Sequence, residues 1–157
     1  TLWHTLSLHD ALPIYVIASA EIIDAAKKVH DFLTVGAAAP LQEAAVAALE
    51  FPLKYYADLQ RDYTRRRDLF LDYLDRAGLS YTTPQGAYYV LVDISDFGFE
   101  SDAGFCRWMA KEIGVAAVPG SSFFHEPVNN LIRFHFAKKE ETLKAAGEKL
   151  LKLSERA

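Results

Sequence analysis

From Tyr15 onward the apolar positions of this chain fall into regular periods. Residues 15–18 (YVIA) are a short apolar run that predicts a buried strand. The stretch opened by Ser19 or Ala20 then carries Ile22, Ile23, Ala26 and Val29 at helical spacing. Residues 30–39 (HDFLTVGAAA) read as a loop, because Gly36 and Pro40 oppose helix continuation. Pro40 suits the first turn of a helix over residues 41–50, where its missing N–H has no intrahelical partner to lose. Pro52 opens a second helix that runs to about Ala77 and stops at Gly78, with Tyr56, Leu59, Tyr63, Phe70 and Tyr73 along one side. At about 1.5 Å per residue that helix is roughly 35–40 Å long, a length suited to bridging two bodies.

The second half alternates strands and helices. Residues 87–94 (AYYVLVDI) place Tyr88, Val90, Val92 and Ile94 on one face and Ala87, Tyr89, Leu91 and Asp93 on the other. Ser101 caps a helix containing Phe105, Trp108, Met109 and Ile113, and Gly114 ends it. Residues 115–118 predict a short strand leading into Pro119-Gly120, and residues 131–137 (LIRFHFA) a further strand. Residues 139–154 predict a final amphipathic helix with Leu143, Ala146, Gly147, Leu150 and Leu151 inward. The expected fold class is α/β: an α+β lobe, a small sheet flanked by helices, hung on a long helix. Residues 1–14 (TLWHTLSLHDALPI) show neither period and lack the basic and continuous apolar regions of a secretory signal. They resemble translated adapter sequence and are expected to be foreign to the domain, the alternative being a genuine but irregular N-terminus.

Composition narrows the function classes. The chain has 157 residues, 51% hydrophobic and 24% charged, which fits a packed core and excludes a disordered tail. Its net charge of −4 argues against a dedicated nucleic-acid binder. The single cysteine, Cys106, excludes an internal disulfide framework and a cysteine-rich zinc site. No apolar run approaches the roughly 18 residues that span a bilayer. The expectation is a cytoplasmic α/β chain with neither a nucleic-acid nor a membrane partner.

Among the side chains that could carry chemistry, Arg133 is the most informative. In LIRFHFA the residues Ile132, Phe134 and Phe136 share the apolar face, so Arg133 and His135 point the other way. A guanidinium there either clamps a substrate carboxylate through two parallel hydrogen bonds, or is an edge arginine paired with an internal Asp or Glu. His135 reads as a hydrogen-bonded structural residue, and the histidine spacing suggests no metal site. Pro119-Gly120-Ser121-Ser122-Phe123 follows a strand and offers backbone N–H groups and hydroxyls, for a pocket or for a plain turn; it has neither a dinucleotide-loop nor a P-loop spacing. Tyr88, Tyr89 and Phe123 fit a pocket wall or the core equally well. Arg65-Arg66-Arg67, flanked by Asp62 and Asp68, reads as paired charge on a solvated helix face. Cys106 sits among Phe105, Trp108 and Met109 as an inert core thiol, and nothing places Lys138 or Lys139 in the desolvated pocket that a Schiff-base lysine needs. The residues alone form no complete catalytic set.

Five segments in order nevertheless resemble the C-terminal part of class I/II (fold-type-I) aminotransferases, which depend on pyridoxal 5'-phosphate (PLP), and most of all the kynurenine- and methionine-aminotransferase-like branch. They are YVIASAEIIDAAKKVHDF, APLQEAAVAAL, PQGAYYVLVDIS, VAAVPGSSFF and IRFHFAKKEETLKAAGEKL. The resemblance implies that Arg133 grips the substrate α-carboxylate. It implies that residues 15–52 are a remnant of the large PLP-binding domain, 53–78 the interdomain helix and 79–157 the small domain. Thr34, Val35 and Gly36 match a stretch that approaches the neighbouring subunit's active site in related homodimers. The family's Schiff-base lysine and phosphate-binding arginine would fall at about His4 and Leu12, neither of which can replace its counterpart. The implied protein is a fragment of an enzyme that moves an amino group between an amino acid and a 2-oxo acid, with no catalytic or cofactor-binding residue retained and no activity alone. The competing reading is a non-catalytic α+β module that binds a small molecule or a protein. On the fragment reading the first two helices have lost the sheet they were patterned to cover, and the isolated chain is expected to be marginal or aggregation-prone.

Overall fold

The computed structural model describes residues 16–155, and the chain divides into two compact units that part between Tyr56 and Ala57. In the first unit, helix α1 (Ala20–Thr34) and helix α2 (Ala39–Leu49) precede the opening turn of helix α3 (Leu53–Arg76). Ser19 stands at the α1 N-cap and Pro40 in the first turn of α2, as expected. Two expectations are corrected. Residues 16–18 form no strand, because no described segment of this unit offers them a backbone partner; Tyr15 lies outside the described residues. The loop foreseen over 30–39 shrinks to a turn, since His30, Asp31, Phe32, Leu33 and Thr34 all continue α1. The break comes at Val35, whose φ of 65° stops the helix before Gly36 and Pro40 can. No residue of α1 or α2 is buried; Ile22 is 57% exposed, Phe32 95% and Leu49 69%.

The second unit carries the core. Over the 24 residues of α3 the buried positions Phe70, Leu71, Tyr73 and Leu74 crowd toward its C-terminal half. Gly78 ends the helix at φ 71°, and the N–H of Leu79 returns to the Leu74 carbonyl at 3.0 Å. There follow β1 (Tyr81–Thr82), β2 (Tyr89–Asp93), α4 (Asp102–Trp108), β3 (Val118–Pro119), β4 (Leu131–His135) and α5 (Glu140–Leu150). The sheet order is β1-β2-β4-β3, antiparallel throughout. The predicted strands at 87–94 and 131–137 are present but shorter, while the one expected over 115–118 is corrected: residues 115–117 form no strand, and the pairing with β4 starts only at Val118 and runs to Pro119. The two-residue β1, paired through Tyr81 and Val92, is too short to leave a periodic signal. The helix expected up to Gly114 closes in a π-turn over Met109–Ile113, and the last helix tightens to a 3-10 turn over Leu151–Glu155.

Val90, Val92, Ile132 and Phe134 share one face of the sheet and join Phe70 and Leu74 of α3, Phe105 and Met109 of the α4 segment, and Leu143 and Leu150 of α5. Each such side chain contributes about 1.5–3 kcal/mol when fully buried. The Phe70 and Phe134 rings meet edge to face, centroids 5.6 Å apart. Two arginines of the cluster on α3 are charge-paired as expected, Arg65 with Asp62 at 3.7 Å and Glu140 at 2.6 Å and Arg67 with Asp68 at 2.8 Å, while Arg66 lies over the Tyr63 ring instead. Helices α3 and α5 approach closely at Gly147, where a Cβ would lie 2.2 Å from the Tyr73 ring, and the Tyr73 hydroxyl donates to Glu148 at 2.9 Å.

Two outcomes follow from this packing. Gly147→Ala gains up to about 1 kcal/mol in helix propensity, but overpacking against the buried Tyr73 costs about 1–3 kcal/mol. The variant should therefore unfold at lower denaturant; an equal or higher midpoint would show that the helices can part without loss. Burial pushes the Cys106 thiol up to about 11, aided by the nearby Asp102 charge. Iodoacetamide at pH 8 should therefore leave the folded chain unlabelled and modify it only in denaturant. Rapid labelling of the native chain would contradict the buried thiol.

Candidate functional site

The β2–β4 register, with Leu91 opposite Arg133 and Tyr89 opposite His135, sends these four side chains to the face away from the core. Val118 of β3 pairs with Arg133 from the other side. Arg133 therefore lies on an interior strand, which corrects the alternative of an edge arginine. Nor does it have the internal acid that alternative required: among the described residues no carboxylate pairs with it. Its guanidinium is held by two rings, with the carbon centre 4.1 Å from the Tyr89 centroid and 3.7 Å from that of Phe123. Contacts of this kind attract the cation to the ring faces without neutralising its charge. The half-buried guanidinium is thus a cation held against two rings, with no carboxylate partner among the described residues.

Around it, the aromatic wall extends through Tyr88, whose hydroxyl accepts from that of Tyr89 at 3.2 Å. His135 is exposed; desolvation first, then Lys138 and Arg133, hold its imidazole below the ordinary value, so it is neutral at pH 7. At the strand ends Asp93 accepts from Ser95 and Asn130, and chiefly the Ser95 hydroxyl holds its carboxyl below the usual range. A shallow cleft of about 290 Å³ lined by Phe70, Val115, Phe134, Lys138, Leu143 and Lys149 does not include Arg133.

The turn that delivers Phe123 is the 3-10 segment Gly120–Phe123. Gly120 presses on β4 so closely that a Cβ would lie 2.5 Å from the Leu131 carbonyl oxygen, which excludes any side chain there. Ser121 is held by Asp102: its backbone N–H donates to Oδ2 at 2.7 Å and its hydroxyl to Oδ1 at 3.1 Å. Oδ1 also accepts from the Ala103 N–H at 2.7 Å. Burial pushes the Asp102 carboxyl up, but these hydrogen bonds outweigh it and hold the group below its ordinary value, so it is ionised at neutral pH. Asp102 was missed in the sequence, where Ser101 alone explained the helix start; its carboxylate next to an apolar helical run was the available signal. Tyr89 and Phe123, open between pocket and core, belong to the Arg133 face.

Thr34, Val35 and Gly36 lie in the first unit at the end of α1, where the Thr34 hydroxyl meets the His30 ring at 3.0 Å. The positions at His4 and Leu12 lie outside the described residues. Every lysine of the chain is among the described residues and every one is exposed. Among the described residues no helix is long and apolar enough to cross a membrane.

The family model described as aminotransferase class I and II matches residues 15–150. The methionine aminotransferase of Escherichia coli is 39% identical over 140 residues, covering 88% of this chain and 36% of that protein. The kynurenine–oxoglutarate transaminase of Dictyostelium discoideum is 32% identical, covering 88% and 37%. Among solved structures, the E. coli methionine aminotransferase superposes with a TM-score of 0.73 at 38% identity, over 87% of this chain and 36% of that one. The N-succinyldiaminopimelate aminotransferase of Mycobacterium tuberculosis superposes at 0.75 and 30%, with the same coverage. The chain thus spans about a third of the length of these relatives. With a family match across most of its length and a fold shared with solved fold-type-I members, the chain belongs to the class I and II aminotransferase family.

Proposed function

We propose that this chain is the carboxylate-binding part of a PLP-dependent aminotransferase, with Arg133 as the residue that grips the substrate. The observation that carries it is the Arg133 guanidinium, held against Tyr89 and Phe123 with no acid to neutralise it among the described residues. An amino donor and a 2-oxo acceptor differ at the reacting carbon but share the carboxylate beside it. One forked cation can therefore hold both partners of a transamination in one orientation. The two rings limit the rotation of the fork, so less order remains to be imposed when a substrate arrives.

The same reading assigns residues 15–52 to the remnant of a large cofactor domain, 53–78 to the interdomain helix and 79–157 to the small domain. It places residues 1–14 outside the native unit, which is supported by a family match that begins at residue 15. Thr34, Val35 and Gly36 would face the active site of a neighbouring subunit in a cytoplasmic homodimer; Val35, 83% exposed, is accessible for such a contact. The uncovered apolar faces of α1 and α2 support a lost covering domain. On this reading the Schiff-base lysine's position falls at about His4, which cannot replace it, so the chain is inactive alone and its own residues bind and orient a substrate and do no more.

In a full-length enzyme carrying this lobe, Arg133→Ala should raise KM and lower kcat/KM for carboxylate-bearing donors by about 1.5–3 kcal/mol, roughly tenfold to a hundredfold. Arg133→Lys, which keeps charge but loses the fork, should recover only part of this; unchanged kinetics in both would remove Arg133 from the site. Titration of the purified chain with PLP, followed by borohydride reduction and mass analysis, should trap no specific lysine adduct. A saturable absorbance band trapped on one lysine would mean that the chain builds a cofactor site of its own, and the fragment reading would fail.

A further inference from the structure

We propose that Asp102 is a positioning residue for Arg133: its buried carboxylate fixes the turn at Ser121 that carries Phe123 onto the guanidinium. The inference rests on the reading of Arg133 as the carboxylate-binding residue and extends it to a group that never touches the substrate.

Asp102 is 1% exposed, and among the described residues no cation pairs with it. An ionised carboxylate removed from water is costly unless its oxygens are well hydrogen-bonded. A helix cap does not account for it, because Ser101 already fills that position, its hydroxyl accepting from the Gly104 N–H at 3.1 Å. Instead, both Asp102 oxygens reach across 19 residues of sequence to Ser121, one to its N–H and one to its hydroxyl.

What the clasp holds is equally specific. Phe123, two residues beyond Ser121, is 47% exposed, so core packing does not fix its ring. Its place over Arg133 at 3.7 Å depends on the turn beneath it. That turn is anchored on one side by β3, whose Val118 pairs with Arg133, and by Gly120 against Leu131; Asp102 anchors the other side. With the clasp lost, the turn keeps its strand anchor but can roll about it, and Phe123 swings off the guanidinium. Tyr89, fixed on β2, would remain as the single stacking partner.

The test has two arms. On the full chain at micromolar concentration, phenylglyoxal modification is followed arginine by arginine through peptide mass spectrometry, with iodoacetamide labelling of Cys106 as the reporter of unfolding. Asp102→Asn should speed modification of Arg133 several-fold, leave Arg61 unchanged and keep Cys106 covered. Should Asp102→Asn expose Cys106, Ser121→Ala, which removes one hydroxyl contact and keeps the backbone one, should shift Arg133 in the same direction by less. An Arg133 rate equal to wild type in whichever variant keeps Cys106 covered overturns the proposal.

In the full-length enzyme, Asp102→Asn should raise KM for amino-acid donors by about fivefold to tenfold with kcat nearly unchanged, and add little once Arg133 is already alanine. A fully additive double variant overturns the positioning role while the Arg133 reading stands. An Arg133→Ala variant with unchanged KM overturns the Arg133 reading itself, and the modification rates still report whether Asp102 holds the stack.

Discussion

The pairing of β2 with β4 is the constraint on which the rest of the lobe depends. Opposing Val90 to Phe134 and Val92 to Ile132 packs four apolar side chains under the helices. The same pairing necessarily turns Tyr89, Leu91, Arg133 and His135 to the opposite face. A slip of one residue would exchange the two sets, burying a guanidinium and exposing the core. Core and candidate site are therefore specified by one register, and neither can be altered without the other.

Two charges in this lobe are handled in opposite ways. Asp102 is withdrawn from water and spends both oxygens on hydrogen bonds inside the fold. Arg133 is only half-buried, is stacked on its flat faces and has no acid partner among the described residues. The first arrangement consumes a charge to fix geometry; the second fixes a charge and leaves it chemically available. The Gly120–Phe123 turn lies between them, and Gly120 is required there because any side chain would meet the Leu131 backbone.

The two units differ in the same physical terms. From Ala57 onward the helices find a sheet to cover, and the apolar face of α3 is buried at Phe70, Leu71, Tyr73 and Leu74. In the first unit α1 and α2 have the pattern of packed helices and bury none of it. Propensity and patterning form the helices in both units, but among the described residues only the second has a core.

Taken alone, the amino-acid sequence determined which residues form which elements wherever period and punctuation agree. The stop at Gly78, the cap at Ser101, the proline starts of α2 and α3, and the alternation that separates Ile132 and Phe134 from Arg133 and His135 were all legible there, because each is a local property of a few neighbouring residues. It also carried the family resemblance and with it Arg133. Tertiary structure decided what local pattern cannot encode. Residues 16–18 form no strand because strand formation needs a partner backbone. Tyr89 and Phe123 become the two faces of one clamp because β2 and the Gly120–Phe123 turn converge on β4. Asp102 finds its function 19 residues away, at Ser121, since a buried carboxylate takes its role from whichever donors the fold brings to it.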